Sequence, residues 1–260
     1  MKFKPLNGKD ITVVAINERK LCIIVPIYKE TLNKEESLAL NHLKSLSKDE
    51  KVFLVAPESL NLSAYNCYMW EVRRFSDRYF KNVAGYTRLL LRQQFYECFI
   101  QYEYMLICQT DALLLKPVAA LYDFMKLPYD YYGAPWVDGA VSYQYAFRGI
   151  SLIKWLFKAR VCYVGNGGFS LRHIRHTIAL LEEKKRYTLL WNSGEDTFFA
   201  YHGQDNKCGF RIAPVEVAEQ FALEQNAKEK IREGAFPIGL HAWKKYYPEL
   251  KLEELGYAQI

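Results

Sequence analysis

The sequence lacks the patterns that mark several common classes of protein. It has no apolar run long enough to cross a bilayer, and its N-terminal segment MKFKPLNGKD lacks the apolar stretch of a secretion signal. Its six cysteines form no CxxC pair, and most lie in apolar runs that are typical of reduced, buried thiols. We therefore expect a cytoplasmic protein without disulfides or a zinc site.

Nucleotide-binding and nucleic-acid-binding signatures are also missing. The chain has neither the G-x-G-x-x-G spacing of dinucleotide-binding proteins nor a P-loop, and its basic residues do not gather into one dense run. The net charge of +6 is modest, and arginines and lysines fall both before and after the middle of the chain. This balance favours anionic small molecules or an anionic membrane surface over nucleic acid, and it also fits ordinary solvated faces.

The patterns that are present predict an α/β fold. Residues 21–28 (LCIIVPIY) form an apolar run that predicts a buried strand, 35–46 has the apolar spacing of an amphipathic helix, and 51–56 (KVFLVA) predicts a second strand. Strand, helix and strand in this order form the parallel crossover unit of α/β folds. Because no repeat or low-complexity linker occurs among the 260 residues, we expect one domain over 1–260 with a mainly parallel mixed sheet flanked by helices.

A central stretch at 104–117, YMLICQTDALLLKP, has a carboxylate inside an apolar run. Such runs suit strands buried on both faces of a parallel sheet, where an unpaired charge is not stable. Asp111 is therefore expected where the strand opens into a cleft, at the carboxyl edge of the sheet where ligands collect. The alternative, equally weighted at this point, is that Asp111 caps or turns the chain after the strand.

Two later segments carry further polar candidates. VGNGGFSLR at 164–172 is rich in glycine, which lets a ligand approach the main chain closely, although it also fits a plain turn. SGEDTFFAY at 193–201 begins a predicted helix, and Ser193 and Asp196 have the spacing of a capping box. That pattern explains one acid only, and it leaves Glu195 free to face a site.

The segment GLHAWKKYYP at 239–248 holds the histidine that we consider most functional, His241, in a loop flanked by glycine and proline. The other histidines are expected to be surface groups; these are His42, His173, His176 and His202.

The basic and apolar stretch 149–159, GISLIKWLFKA, has two interpretations. It predicts either an interfacial helix that contacts a membrane or a lipid-linked substrate, or a core helix or lid whose lysines reach solvent. The second alternative is favoured, so contact with the inner face of the cell membrane is at most peripheral.

In this order, these segments resemble a GT-A-type glycosyltransferase over nearly all of the chain. The nearest resemblance is to a family of bacterial glycosyltransferases marked by the segments QTDALLL, YDYYGAPW, GNGGFSLR and GLHAW. A more distant one is to the β-1,4-galactosyltransferases, which have a DxD strand end, a glycine-rich segment, an acidic pair and a late histidine. The resemblance implies a nucleotide-sugar half at about 20–117 and an acceptor and catalytic half at about 118–250.

The resemblance also implies a metal site with one departure from the family pattern. Asp111 corresponds to the last acid of DxD and His241 to the late histidine, so both are expected to bind the metal. Gln109 stands at the first acid position, where it is expected to hydrogen-bond ribose or a coordinated water. A nitrogen ligand favours Mn²⁺ over Mg²⁺.

The remaining expected roles concern the donor, the acceptor and the reaction. The nucleotide-sugar donor, expected to be a UDP-sugar, is assigned to Ile27, Tyr28, Lys29, Arg88, Gln109, Thr110 and Asp111, and the sugars to Trp136, Gly167, Gly168 and Trp243. Asp196 is expected to be the general base of an inverting transfer to a glycan or lipid-linked acceptor, with Glu195 holding the acceptor, although the capping-box spacing leaves the reverse assignment open.

Gln109 keeps a rival function open, a catalytically inactive GT-A-like domain that binds a sugar or a partner protein. A nucleotidyltransferase is disfavoured because LCIIVPIYKETLNK contains no glycine.

Overall fold

The computed structural model describes residues 19–48, 50–146 and 156–251. The strands are β1 (Arg19–Pro26), β2 (Lys51–Pro57), β3 (Glu71–Phe75), β4 (Tyr102–Cys108), β5 (Leu113–Leu114), β6 (Tyr131–Gly133), β7 (Pro135–Tyr143), β8 (Ala159–Val164), β9 (Phe169–His173), β10 (Ala222–Leu223) and β11 (Gly239–Leu240). The α-helices are α1 (Lys34–Leu46), α2 (Val83–Leu90), α3 (Gln93–Glu97), α4 (Leu121–Met125), α5 (Ile174–Glu183), α6 (Lys185–Thr188), α7 (Glu195–His202), α8 (Val215–Phe221), α9 (Ala227–Arg232) and α10 (Trp243–Tyr246).

The main sheet has six strands in the order β3-β2-β1-β4-β9-β6. The first four of these are mutually parallel, whereas β9 runs antiparallel to both β4 and β6. Strands from both predicted halves of the chain therefore share this sheet. The predicted class, a mainly parallel mixed sheet flanked by helices, is confirmed.

Helix α1 shows how local chemistry fixes an element that packs on this sheet. The side chain of Asn33 accepts the amide N–H of Glu36 at 2.8 Å, and the Glu36 carboxylate accepts the amide N–H of Asn33 at 2.9 Å. This capping box satisfies two amides that the first turn leaves unpaired. The apolar side chains Leu40 and Leu43 are buried against the sheet core, and each contributes about 1.5–3 kcal/mol by leaving water.

The central stretch 104–117 is divided between two sheets. Strand β4 ends at Cys108, the amide of Ala112 donates to the carbonyl of Gln109 at 2.9 Å, and β5 then pairs antiparallel with β11 in a separate three-stranded sheet. The two apolar halves of the stretch are thus strands of different sheets, joined by a polar turn. That turn carries Asp111 out of the core at the carboxyl end of β4.

Apolar side chains fill both faces of the main sheet, with Leu106 in one large cluster and Ile107 in the other. No described helix combines the length and the hydropathy needed to cross a bilayer. The predicted interfacial helix at 149–159 lies mostly outside the described residues.

Candidate active site

A cavity of about 680 Å³ opens at the carboxyl ends of β1 and β4. It is the place where ligands collect in open α/β sheets. Its walls come from the end of β1, the segment before and within α2, the turn after β4, the glycine-rich segment, the start of α7 and two late loops. The polar side chains among the lining residues are Tyr28, Lys81, Asn82, Tyr86, Thr87, Gln109, Asn166, Glu195, Asp196, Glu224, Gln225, His241 and Tyr246.

Asp111 and His241 meet at the edge of this cavity. The distance from Asp111 Oδ1 to His241 Nε2 is 3.6 Å, and Gln109 Oε1 lies 3.3 Å from the same nitrogen. The predicted metal-binding pair is thus brought together from positions 130 residues apart in sequence, and Gln109 faces the same imidazole nitrogen. Nitrogen and carboxylate oxygen in this arrangement form a donor set that suits Mn²⁺ or a similar divalent ion.

The other side of the His241 ring is held by a residue that the sequence did not indicate. Glu224 Oε1 lies 3.0 Å from His241 Nδ1, and the side-chain amide of Asn166 donates to Glu224 Oε2 at 2.6 Å. A carboxylate at Nδ1 orients the ring so that Nε2 faces outward, and Nε2 offers a lone pair once it loses its proton, as in carboxylate–histidine–metal sites. Asn166 belongs to the glycine-rich segment, so this segment positions the imidazole indirectly.

Charge on His241 depends on these two carboxylates. Desolvation alone would lower the pKa of His241, but Asp111 and Glu224 outweigh it and raise the pKa to about 9. For Asp111, desolvation acts to raise the pKa, and the neighbouring imidazole more than offsets this effect, so that the pKa is lowered. At neutral pH the metal-free site therefore holds an imidazolium between two carboxylates.

Glycine is required at two positions because side chains pack against the bare main chain. A Cβ atom on Gly168 would overlap the His241 ring, and one on Gly167 would overlap Glu195 Oε1. The glycine-rich segment therefore forms a surface against which both the imidazole and Glu195 rest. In addition, the carbonyl of Gly168 accepts the amide N–H of Gln109 at 2.9 Å, which ties the segment to the turn after β4.

The acidic pair begins α7, but without the capping box that the sequence predicts. The N-cap is Gly194, and Ser193 Oγ accepts a hydrogen bond from Thr197 Oγ1 at 3.1 Å instead of capping an amide. Asp196 Oδ1 accepts the amide N–H of Thr197 at 2.7 Å. Both Glu195 and Asp196 line the cavity, since the helix starts one residue later than a Ser193 cap would require.

Glu195 is held by a fully buried cation. Arg172 Nη2 donates to Glu195 Oε1 at 3.0 Å, Nη1 donates to the hydroxyl of Tyr96 at 2.9 Å, and Nε donates to Ser170 Oγ at 3.0 Å. Arg172 lies on β9 with a side chain that is 0% exposed. One oxygen of Glu195 is thus committed to this ion pair, as buried charges generally require.

Asp196 has a different environment, although it is the next residue. Desolvation first, and then the negative charge of Glu195, raise the pKa of Asp196 to about 7. A carboxylate with such a pKa accepts a proton more readily than an ordinary aspartate and is still substantially ionised at neutral pH. Adjacent acids whose environments separate their roles are a common arrangement in active sites.

The predicted donor-binding residues have mixed positions. Tyr28 lines the cavity and is 58% exposed, whereas Ile27 is buried in the core. Lys29 forms a 2.5 Å ion pair with Glu36, whose other oxygen accepts from Thr110 Oγ1 at 2.9 Å, so both residues brace the first strand against the turn after β4.

Arg88 does not line the cavity; it is an exposed residue of α2. Lys81, just before that helix, supplies a positive charge to the cavity wall instead. The sequence alone did not distinguish the two, because both are basic residues close to each other in the chain. Helix α2 begins at Val83, and Asn82 caps it by accepting the amide N–H of Gly85 at 2.8 Å.

The two predicted sugar-binding tryptophans also differ. Trp136 lines the cavity, and its ring lies so close to Gly165 that a Cβ there would overlap it. Trp243 is 2% exposed and packs in an apolar cluster with Leu113 and Leu240. Its indole belongs to the core because the short helix α10 folds back onto the three-stranded sheet.

Two of the four histidines predicted at the surface are buried. His42 and His202 are 1% and 2% exposed, because each lies on the inner side of its helix. His176 is exposed, and His173 is partly buried at the end of β9.

Three residues that shape the site were missed in the sequence. Glu224 and Asn166 act through a contact across the fold, and Arg172 reaches Glu195 from β9. A charge that directly follows the buried residue Leu171 on β9 is the signal that points to Arg172.

Solved structures with the same fold are glycosyltransferases. Mouse xyloside xylosyltransferase 1 in its apo form matches with a TM-score of 0.53 and 13% sequence identity, over 86% of this chain and 97% of that chain. Galactosyltransferase LgtC, in complex with donor and acceptor sugar analogs, matches with a TM-score of 0.50 and 13% identity, over 85% of this chain and 86% of that chain. At this identity the likeness shows the fold, which is of the GT-A type.

Sequence comparisons complete the assignment of the family. No curated protein sequence matches the chain. A family model described as "Protein of unknown function (DUF5672)" matches residues 69–241, which is most of the length. The chain therefore belongs to the DUF5672 family and has a GT-A glycosyltransferase fold.

Proposed function

We propose that this protein transfers a sugar from a nucleoside-diphosphate sugar to a hydroxyl group of a glycan or lipid-linked acceptor, with inversion at the anomeric carbon. A UDP-sugar is the expected donor, as in the families that the sequence resembles. The reaction assigned here needs a site for the diphosphate and a base for the acceptor hydroxyl.

One observation carries the proposal. His241 lines the same cavity as Asp196, the acid whose pKa is raised to about 7, and Asp111 Oδ1 lies 3.6 Å from His241 Nε2. A diphosphate-binding pair and a proton acceptor in one cavity at the carboxyl edge of the sheet meet the two needs of glycosyl transfer.

The residues present fit a divalent cation. Asp111 Oδ1 and His241 Nε2 would hold it, and Glu224 orients the imidazole at 3.0 Å from Nδ1. The cavity wall also carries Glu195, Asp196 and Glu224, so a cation is needed before a diphosphate can enter without strong repulsion. When bound, Mn²⁺, or Mg²⁺ in its place, would neutralise negative charge that grows on the leaving diphosphate.

Residues just after β1, just before α2 and just after β4 would bind the nucleotide. Tyr28 offers an exposed ring at the cavity wall for the base, and Lys81 and Gln109 offer a charge and an amide for the diphosphate and ribose. Trp136, packed over Gly165, offers a flat apolar face to a sugar ring.

Asp196 would act as the general base. It takes the proton of the attacking hydroxyl while the oxygen of that hydroxyl bonds to the anomeric carbon and the diphosphate leaves with the electrons of the broken bond. The base therefore lies on the face opposite the leaving group, which produces inversion. Glu195, with Oε1 committed to Arg172, keeps its other oxygen for an acceptor hydroxyl and maintains the negative charge that raises the pKa of Asp196.

Calorimetric titration of UDP, with and without Mn²⁺, tests the donor site. We expect Mn²⁺ to tighten UDP binding in the wild-type protein and Asp111→Asn to remove that effect, because the variant lacks one ligand charge. Asp123→Asn is the matched control, since that exposed aspartate of α4 pairs with Lys126 and does not line the cavity. Equal UDP affinity with and without Mn²⁺ in the wild type would contradict the assigned metal site.

A further inference from the structure

A second cavity, of about 320 Å³, lies at the opposite edge of the main sheet. Asp130, His173 and His176 line it together with Glu103 and Arg211. In the β4–β9 ladder His173 is opposite Tyr104, while Phe169 is opposite Cys108 next to the candidate active site. From His173 to Gly168 the strand runs five residues, about 17 Å at the usual rise per residue, so the two cavities are separate.

Three potential ligand atoms converge in this second cavity. Asp130 precedes β6, His173 is the last residue of β9, and His176 lies in the first turn of α5. The spacing of three residues at a helix start places the two imidazole rings side by side, with centroids 4.0 Å apart and planes inclined by 22°. One ligand atom from each of the three residues lies within 4.8 Å of the others.

Asp130 is fixed in place by the main chain around it. Its Oδ2 accepts the amide N–H of Arg211 at 2.8 Å, and its carbonyl accepts the amide N–H of His173 at 2.8 Å. Its Oδ1 is free to face the imidazoles and lies 2.6 Å from His176 Nδ1. A carboxylate held in this way needs little reorganisation when a cation binds.

The histidines are less committed than the aspartate. His176 is half exposed, and the contact from its amide N–H to His173 Nδ1 is 3.2 Å, at the long end of the hydrogen-bonding range. A bound cation would replace two modest interactions, the hydrogen bond between Asp130 and His176 and the capping contact between His176 and His173. In their place it would form three coordinate bonds.

We propose that Asp130, His173 and His176 form a zinc site distinct from the site assigned to sugar transfer. Two imidazole nitrogens and one carboxylate oxygen are ligands that Zn²⁺ binds in four-coordinate geometry, and the open side of the cavity leaves the fourth position to water. Cysteine spacing carries no signal for such a site, because no cysteine takes part. The ion would tie the segment before β6 to the junction of β9 and α5, and so stabilise the far edge of the sheet.

Zinc titration of the full-length His241→Ala protein, by calorimetry, tests the proposal. This background removes the imidazole of the candidate active site, so that the remaining zinc binding reports the second cavity. We expect one Zn²⁺ per chain and a rise in melting temperature on zinc addition. Adding His176→Ala is expected to weaken the binding by at least tenfold, and Asp130→Asn to do the same.

Arg211→Ala is the matched control in the same background. Its side chain lines the same cavity and offers no metal ligand, while the amide that supports Asp130 is kept. Zinc affinity is expected to be unchanged or higher in this variant, since a positive charge is removed. Circular dichroism of each variant verifies folding. If His176→Ala is unfolded, the zinc affinities of Asp130→Asn and His176→Gln test the proposal in its place.

Two results would overturn the proposal. The first is an absence of stoichiometric zinc binding in His241→Ala, and the second is zinc binding that survives both His176→Ala and Asp130→Asn. In either case the three residues form only a hydrogen-bonded cluster that does not bind zinc. Both results are independent of sugar transfer, because the titration needs no donor.

Discussion

Glu224 and His241 form the contact on which the geometry of the candidate metal site depends. Glu224 Oε1 lies 3.0 Å from His241 Nδ1, on the side of the ring opposite the nitrogen that faces Asp111 and Gln109. Because Asn166 holds the second oxygen of Glu224, the imidazole is oriented by a chain of two side chains that starts in the glycine-rich segment.

Replacing Glu224 by glutamine tests this contact. The amide keeps the shape of the side chain but loses its charge, and it cannot accept from both Asn166 and His241 through two oxygens. We expect Mn²⁺ affinity, measured by calorimetry or electron paramagnetic resonance, to fall by about 10- to 100-fold, the usual effect of losing such a partner. Glu219→Gln is the control, because Glu219 pairs with Lys230 away from the cavity. Equal affinity in Glu224→Gln and the wild type would remove Glu224 from this role.

Proton release should accompany metal binding. His241, with a pKa raised to about 9, must lose a proton before Nε2 can bind a metal. Below pH 9 we therefore expect Mn²⁺ affinity to rise about tenfold per pH unit, with close to one proton released per ion at pH 7. Calorimetry in buffers of different ionisation enthalpy measures this number. Release of no proton would show that His241 does not bind the ion.

The two adjacent glycines give a paired test in which each variant controls the other. In Gly168→Ala the new methyl overlaps the His241 ring, so we expect Mn²⁺ affinity to fall by at least tenfold. In Gly167→Ala the methyl overlaps Glu195 Oε1, so we expect impaired turnover with Mn²⁺ affinity near the wild-type value. Loss of Mn²⁺ binding to the same extent in both variants would indicate a general collapse of the segment, against the separate contacts described.

The raised pKa of Asp196 predicts a stability difference with a defined sign. Because its pKa is about 7 in the folded state and near 3.8 otherwise, folding favours the protonated form, and this stabilisation is lost as pH rises from about 4 to 7. The asparagine in the Asp196→Asn variant does not titrate. The free energy of unfolding of Asp196→Asn, relative to that of the wild type, should therefore increase across that range by on the order of a few kcal/mol, at about 1.4 kcal/mol per pKa unit.

Urea denaturation of both proteins at pH 4.5, 6 and 8 measures this difference. Asp123→Asn, which changes an exposed aspartate, should track the wild type at all three values. A constant difference between Asp196→Asn and the wild type would mean that Asp196 has an ordinary pKa in the folded protein.

The sequence indicated the parts of the site whose signals are local. Asp111 was recognisable as a charge at the end of an apolar strand, Glu195 and Asp196 as acids at a helix start, and His241 as a histidine in a loop. Their convergence follows from the topology, which brings the turn after β4, the start of α7 and the loop after β11 to one cavity.

Other parts of the site depend on packing that no local pattern reveals. The residues around Trp243 in sequence are typical of an exposed loop, yet α10 packs its side chain into the core. Arg88 and Lys81 are both basic residues near one helix, and only the exact start of α2 decides which faces the cavity. Ser193 had the spacing of a cap, but Gly194 takes that position.

Proton NMR of a UDP-sugar, incubated with the protein, Mn²⁺ and an acceptor sugar, tests the central claim most directly. We expect UDP and a glycoside of inverted anomeric configuration to appear together, and the rate to fall by at least 100-fold in Asp196→Asn, the scale of a lost general base, with donor affinity unchanged. A retained configuration, full activity in Asp196→Asn, or no transfer from any of a panel of nucleotide sugars would contradict the account.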